Sequence, residues 1–304
     1  QSPLRLESSE TLNTEWDVIV VGSGSAAHCA GLAALEAGCS VIMIEKADPD
    51  LAGGNSRYTA GAMRFVYDGN ADILPLIDDP SDPRLPETDF GAYTADMFAS
   101  DLLRFNDGQP LSREQRFLIA ESRATMGWLA SHGIRFSPMY SHQSHLKNGR
   151  YVFWGGLTLQ ARREGSGLID AQQTAFARLG GTCRYGTAAV GLLEKDGHVV
   201  GVRTEAGDLH ASAVVLACGG FESDPDKRAR YIGSGWERAR VRGTPHNTGQ
   251  ASIWRSVWGP ASMERLGAVT LPRWTPSCPS TAMSTCRISS ESSIGRSAIS
   301  LASW

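Results

Sequence analysis

Gly22, Gly24 and Ala27 fill the three small positions of a G-x-G-x-x-G/A turn, and Glu45 follows 23 residues after Gly22. Residues of those types at that spacing can hold a pyrophosphate. Gly22 permits the tight turn, Gly24 lets backbone close on the phosphates, and Ala27 keeps the following helix tight against the preceding strand. A carboxylate at Glu45 can accept a hydrogen bond from a ribose 2′-OH, which argues against a 2′-phosphate and hence against NADP. The chemistry indicated is dinucleotide binding.

The flanking elements suit that reading. Val18 to Val21 is a continuous β-branched run, as expected of a central parallel strand buried on both faces. A helix beginning near Ser25 aims its open N–H groups and positive dipole end at the same point, so Ser23, Ser25 and Ala26 join the candidate contacts. Its sequence, "SAAHCAGLAALEAG", is alanine-rich and closes at Gly38. His28 within it reads as a packed residue rather than a ligand. "SVIMIE" is the second strand, with Lys46 just beyond Glu45.

The next segment, "GGNSRYTAGAMRF", separates flavin from nicotinamide. Gly53 and Gly54, followed by Asn55 and Ser56, make a turn whose amides can face a second bound group. Thr59, Ala60 and Gly61 leave room for a flat ring against the backbone. A nicotinamide fold would continue with a plain helix at this point, so the loop favours flavin. Later, an amphipathic helix is expected over Gly167–Leu179, followed by strands turning at "KDG" and "AGD" around Gly197 and Gly207. "AVVLACGGF" reads as a buried strand whose end, at Ala217, Cys218 and Gly219, must pass close to a ligand or another segment.

Composition narrows the alternatives. Hydrophobic residues make up 41% of the 304 and charged residues 20%, enough apolar side chain for a sizeable core. The net charge of −3 offers no footprint for nucleic acid. No apolar run approaches the ~20 residues of a membrane span, and the polar start "QSPLRLESSETLNTE" lacks a secretory leader. The six cysteines form no C-x-x-C pair and read as small buried hydrophobes, so a cytoplasmic location is expected. Residues 68–86, rich in Asp and Pro, read as loop. Two helical stretches follow, the second opening with a Ser112/Gln115 capping box and stopping at Gly133. "SPMYSHQSHLKNGRYVFWGG" reads as a solvated loop; His142 and His145 lack a third ligand, so no metal site is expected.

Together "VGSGSAAHCA", "EKADPDLAGGNSRYTAGAMR", "LACGGFESDPDKR" and "RGTPHNTGQ" resemble the flavoproteins related to the flavin subunit of fumarate reductase and succinate dehydrogenase, most nearly the FAD-dependent tricarballylate dehydrogenases. The resemblance covers Trp16 to Gln250. It implies an α/β fold: a Rossmann-like FAD-binding domain of parallel sheet, helices and a β-hairpin layer, with the capping domain largely missing. It implies FAD held non-covalently, because the loop that carries a flavin-linking histidine in some members holds Arg57, Tyr58 and Thr59 here. It places Ala189 and Val190 beside the adenine, and Arg242 and His246 near the flavin–substrate junction. The implied activity is hydride transfer between flavin N5 and a CH–CH bond of a small, tricarballylate-like polycarboxylate, with an unidentified electron acceptor. A 3-ketosteroid dehydrogenase and a catalytically inactive FAD-binding fragment are the alternatives. Catalytic residues stay unassigned, since the family's cap-domain arginine falls beyond the matched segments.

The resulting organisation is a polar tail over 1–15 and an FAD-binding domain over 16–240 with a helical insertion at about 88–165. The capping region begins at 241–250, and an aberrant or disordered tail occupies 251–304. That tail, rich in Ser, Trp, Arg and Pro, breaks a "TGDGI"-like motif midway. Read one base out of step, 251–256 can encode "GIDMAL" and later stretches "GGCHA" and "PEYGD". A frameshift near Gln250 is therefore expected.

Overall fold

A computed structural model describes residues 15–106 and 108–250. The expected tail over 251–304, with its proposed change of frame, lies outside the described residues, as does nearly all of the polar tail over 1–15.

The chain begins with β1 (Glu15–Val21), α1 (Ser25–Glu36) and β2 (Val41–Ile44). Next come β3 (Ala62–Met63), α2 (Asn70–Ile73), β4 (Thr88–Asp89), α3 (Ala95–Leu103) and α4 (Arg113–Ser131). They are followed by β5 (Phe136–Pro138), α5 (Tyr140–Gln143), β6 (Ser144–Lys147), β7 (Arg150–Phe153) and β8 (Leu159–Ala161). The remainder is α6 (Glu164–Arg178), β9 (Thr182–Arg184), β10 (Ala189–Lys195), β11 (His198–Thr204), β12 (Gly207–Leu216) and α7 (Pro225–Tyr231).

The main sheet has the order β10-β11-β12-β1-β2-β9. Its β12-β1-β2-β9 half is parallel, while β10, β11 and β12 pair antiparallel as the expected hairpin layer. Period-two alternation splits the central strands between two cores. Ile19, Val21, Ile42 and Ile44 face one core with Val202 and Leu209. Val20, Val41 and Met43 face the other, under Ala27 and Leu32 of α1 and Ala175 and Phe176 of α6. The mixed α/β fold is therefore the one the sequence indicates.

The insertion is less purely helical than expected. Short strands build two three-stranded sheets, β3-β8-β5 and β4-β7-β6, over a core that includes Phe65, Tyr67, Phe90, Phe98 and Phe136. The stretch expected as loop at 137–156 instead supplies most of β5, α5 and the β6–β7 hairpin. Asn148 (φ 53°) and Gly149 (φ 79°) are both left-handed at its turn, which suits a two-residue hairpin. The 68–86 stretch, expected as loop, holds α2 followed by a 3-10 turn at Leu74–Leu76 and the start of another at Leu85–Glu87, joined by turns. α4 starts on a complete capping box: the Gln115 amide donates to Ser112 Oγ at 3.1 Å, and the Ser112 amide to Gln115 Oε1 at 2.9 Å. Among the described residues no helix is long and apolar enough to cross a membrane.

Candidate functional site

Three chain segments meet where β1, β2 and β12 end, the carboxyl edge at which open α/β sheets bind ligands. The Gly22 amide donates to Ile44 O at 2.8 Å and the Ala217 amide to Val21 O at 2.9 Å, knitting the three strand ends together. Gly22 has φ +104°, and a Cβ there would lie 2.6 Å from Ala217 O, so both conformation and space require glycine.

Beyond that turn, Gly24 caps α1 in extended conformation (φ −72°, ψ 179°) with no side-chain cap. Helix geometry leaves the first-turn N–H groups of α1 without intrahelical acceptors. The Ser25 amide donates to Ser56 Oγ at 3.2 Å. Gly53 (φ +108°) and Gly54 (φ +55°) make the second turn, laid directly over the first. A Cβ on Gly24 would come to 3.7 Å from Gly53 O, and one on Gly54 to 3.9 Å from Gly24 Cα. Two glycine turns thus face each other with backbone as their lining.

Ser23 and Glu45 join these turns. Glu45, only 7% exposed, accepts from the Ser23 amide (2.9 Å) and Ser23 Oγ (2.6 Å) on Oε2, and from the Ala47 amide (2.8 Å) on Oε1. Ser23 Oγ in turn accepts from the Gly53 amide at 2.9 Å. A carboxylate offers about four lone-pair sites, so Glu45 retains capacity for a further donor such as a sugar hydroxyl. Lys46 is partly buried, and that burial lowers its pKa; its Nζ reaches Gln250 Oε1 at 3.1 Å and Thr248 Oγ1 at 3.4 Å.

The rest of the loop is pinned from both sides. Thr59 Oγ1 donates to Ser56 O and accepts from the Gly61 amide, and Thr59 O accepts from the Gly165 amide at the start of α6. Ala60 is exposed between them. Asn55 Oδ1 accepts the Thr244 amide at 3.0 Å, which docks the 241–250 segment on the loop. Arg242 and His246 therefore sit two residues either side of a loop contact, Arg242 exposed and His246 half-buried. On the other flank, the Thr187 amide donates to Glu45 O at 2.8 Å, so the connection entering β10 passes Glu45 just before Ala189 (7% exposed) and Val190 (46%). After β12, Ala217 and Cys218 lead to Gly219 (φ +73°), where a Cβ would lie 2.7 Å from Asn247 Nδ2.

The sequence reading missed several neighbours. Gln172, completely buried, donates to Ser25 Oγ at 3.0 Å and holds that hydroxyl inward; a glutamine inside the apolar stripe of α6 was the available signal. Tyr185 takes a hydrogen bond from Gln173, and its pKa is raised chiefly by burial. Asn247, 7% exposed, ties the 241–250 segment to Glu222 at 3.1 Å. Neither Tyr185 nor Asn247 carries a local pattern. His28 is the packed residue expected: burial pushes its pKa down to about 4, and Nδ1 lies 3.1 Å from Gly24 O. Among the described residues no cluster of potential metal ligands occurs.

A ligand suited to this cradle has two phosphates to meet the paired glycine turns and a sugar hydroxyl to meet Glu45. FAD fits: the α1 N-terminus and the Gly54 amide would hold its phosphates, and Glu45 a ribose, while the Gly53 amide stays bonded to Ser23 Oγ. Bound there, it would supply two-electron chemistry at its flavin ring.

Similarity to known proteins points to the same cofactor. Vinyl phenol reductase of Lactiplantibacillus plantarum is 28% identical over 222 residues, covering 69% of this chain and 39% of that protein. Urocanate reductase of Eggerthella lenta is 27% identical over 240 residues, covering 74% of this chain and 35% of that protein. The open conformation of a flavocytochrome c3 fumarate reductase superposes with a TM-score of 0.61 at 25% identity, covering 81% of this chain and 40% of the other. This chain thus spans well under half the length of those relatives. The model of the FAD dependent oxidoreductase family matches residues 17–234, and the chain belongs to that family.

Proposed function

We propose that this protein holds FAD non-covalently and serves an oxidation or reduction at a carbon–carbon bond of a small carboxylate-bearing acid, tricarballylate-like in having several carboxylates. The observation that carries the flavin half is the pair of facing glycine turns, Gly22–Gly24 and Gly53–Gly54, fastened through Ser23 to Glu45. In this reading the α1 N-terminus faces the pyrophosphate and Glu45 the ribose. Asn55, Ser56 and Thr59–Gly61 support the flavin, Ala189 and Val190 flank the adenine, and Ala217–Gly219 close the far wall. The lack of histidine at Arg57–Thr59 supports non-covalent attachment.

The substrate half rests on charge and kinship. Arg242, a cation, and His246, a ring that can donate a hydrogen bond, sit on the segment docked to Asn55 and would meet a substrate carboxylate. The names urocanate reductase and fumarate reductase denote enzymes for unsaturated acids. Tricarballylate with an artificial electron acceptor, and fumarate or urocanate with a reduced viologen dye, form the test. Turnover of a carboxylate substrate in either direction is expected. Flavin-loaded protein without turnover would reduce the proposal to flavin binding alone, and turnover of a 3-ketosteroid instead would overturn the substrate class.

A further inference from the structure

We propose that a groove beside α6, separate from the glycine turns, binds a small oxyanion carrying two or more negative charges, a phosphate ester or a polycarboxylate. The groove encloses about 380 Å³, within the range of small-ligand sites. It lies between α6, which contributes Asp170, Ala171, Thr174 and Arg178, and the segment His132–Arg135.

The walls are cationic. Arg135, Arg162, Arg163 and Arg178 line the groove from three different segments, against a single lining carboxylate, Asp170. Nearby acids neutralise them only in part. Asp78 is divided between Arg135 (3.8 Å) and Arg162. Asp170 is divided between Arg163 (3.2 Å) and Arg57 (3.5 Å). Four arginines against two shared carboxylates leave a local surplus of positive charge beside the groove, in a chain of net charge −3. Their planar forks match phosphate and carboxylate oxygens two at a time, which a dianion or trianion can exploit.

The backbone supports the same placement. Arg163 (φ 64°) and Glu164 (φ 61°) are consecutive non-glycine residues in the left-handed region, a conformation that persists only where surrounding bonds enforce it. Here they do: the Arg162 amide donates to Arg135 O at 2.8 Å, the Gly165 amide to Thr59 O at 2.9 Å, and the Gly167 amide to Arg163 O at 3.1 Å. The kink follows directly on Arg162, whose backbone pairs with Arg135, so Arg135, Arg162 and Arg163 are grouped along one side of the groove.

The test is calorimetric titration of the full chain with inorganic pyrophosphate and, separately, citrate, at constant ionic strength and with or without saturating FAD. Saturable binding that survives FAD is expected. It should weaken at least tenfold in Arg163→Ser/Arg178→Ser and stay within threefold in Arg163→Lys/Arg178→Lys. Preference for pyrophosphate assigns a phosphate ester, and preference for citrate a polycarboxylate. Absence of saturable binding, binding abolished by FAD, or equal affinity in the serine variant would overturn the proposal. Failure of FAD to bind shows separately, as no heat in the FAD titration, and leaves the anion result to be read alone.

Discussion

Ser23 and Glu45, 22 positions apart, are joined twice: the Ser23 amide and hydroxyl both donate to Glu45 Oε2, at 2.9 and 2.6 Å. This pair fixes the end of β2 against the turn after β1, and through the Gly53 amide it also fixes the second glycine turn. A single carboxylate thereby sets the spacing of the two backbone surfaces proposed to face the cofactor.

Glu45→Ala should therefore act on both stability and affinity. It leaves two amides and a hydroxyl in a buried site without their acceptor, a loss of roughly 1–3 kcal/mol. Urea denaturation should show that drop, and FAD binding followed by fluorescence quenching should weaken by about tenfold or more, some 1.4 kcal/mol. Unchanged FAD affinity in a folded variant would separate Glu45 from the ligand.

Gly22→Ala tests the turn itself. The new methyl would sit 2.6 Å from Ala217 O at a residue with φ +104°. Strain and steric conflict together should cost roughly 2–4 kcal/mol. A thermal melt within a degree of the parent would show that β1 and β12 are less closely joined than described.

His28 predicts a pH dependence. Its folded-state pKa, about 4, lies below the ordinary 6.5 because burial disfavours the charged ring. Between those values the unfolded chain binds the extra proton, so stability rises with pH across that window and is fully present above it. The contribution is roughly 3 kcal/mol at neutral pH. His28→Gln should flatten the stability–pH curve between pH 4 and 6.5; an equally steep curve in the variant assigns the slope elsewhere.

Asn55→Ala probes the docking of the 241–250 segment. Asn55 Oδ1 is the acceptor of the Thr244 amide. Its removal should raise hydrogen exchange at Thr244 by an order of magnitude or more, while exchange in β1 and β12 stays at parent values. Protection retained at Thr244 would mean the segment is held by other contacts.

How far the sequence foretold these relationships depends on range. Features encoded in a few neighbouring residues were legible: the strand–turn–helix at Val18–Ala27, the Ser112/Gln115 capping box, and the β10–β11 turn at Asp196 (φ 52°) and Gly197 (φ 76°). The small strands of the insertion were not, since two- to four-residue strands carry too few positions to show alternation and owe their pairing to distant partners. The placement of the proposed site residues divides the same way. Gly22, Gly24 and Glu45 follow from spacing. Gln172 behind Ser25, Tyr185 beside Gln173 and Asn247 beneath Gly219 depend on tertiary packing, with no periodic signal.

The central claim is that the facing glycine turns cradle FAD. Its most direct measurement is the visible spectrum of the purified full chain after incubation with FAD and gel filtration. The account predicts flavin absorbance co-eluting with protein near one equivalent per chain, released on denaturation because the attachment is non-covalent, and lost in Gly22→Ala. A colourless protein peak, from folded protein with all the FAD eluting free, would contradict it.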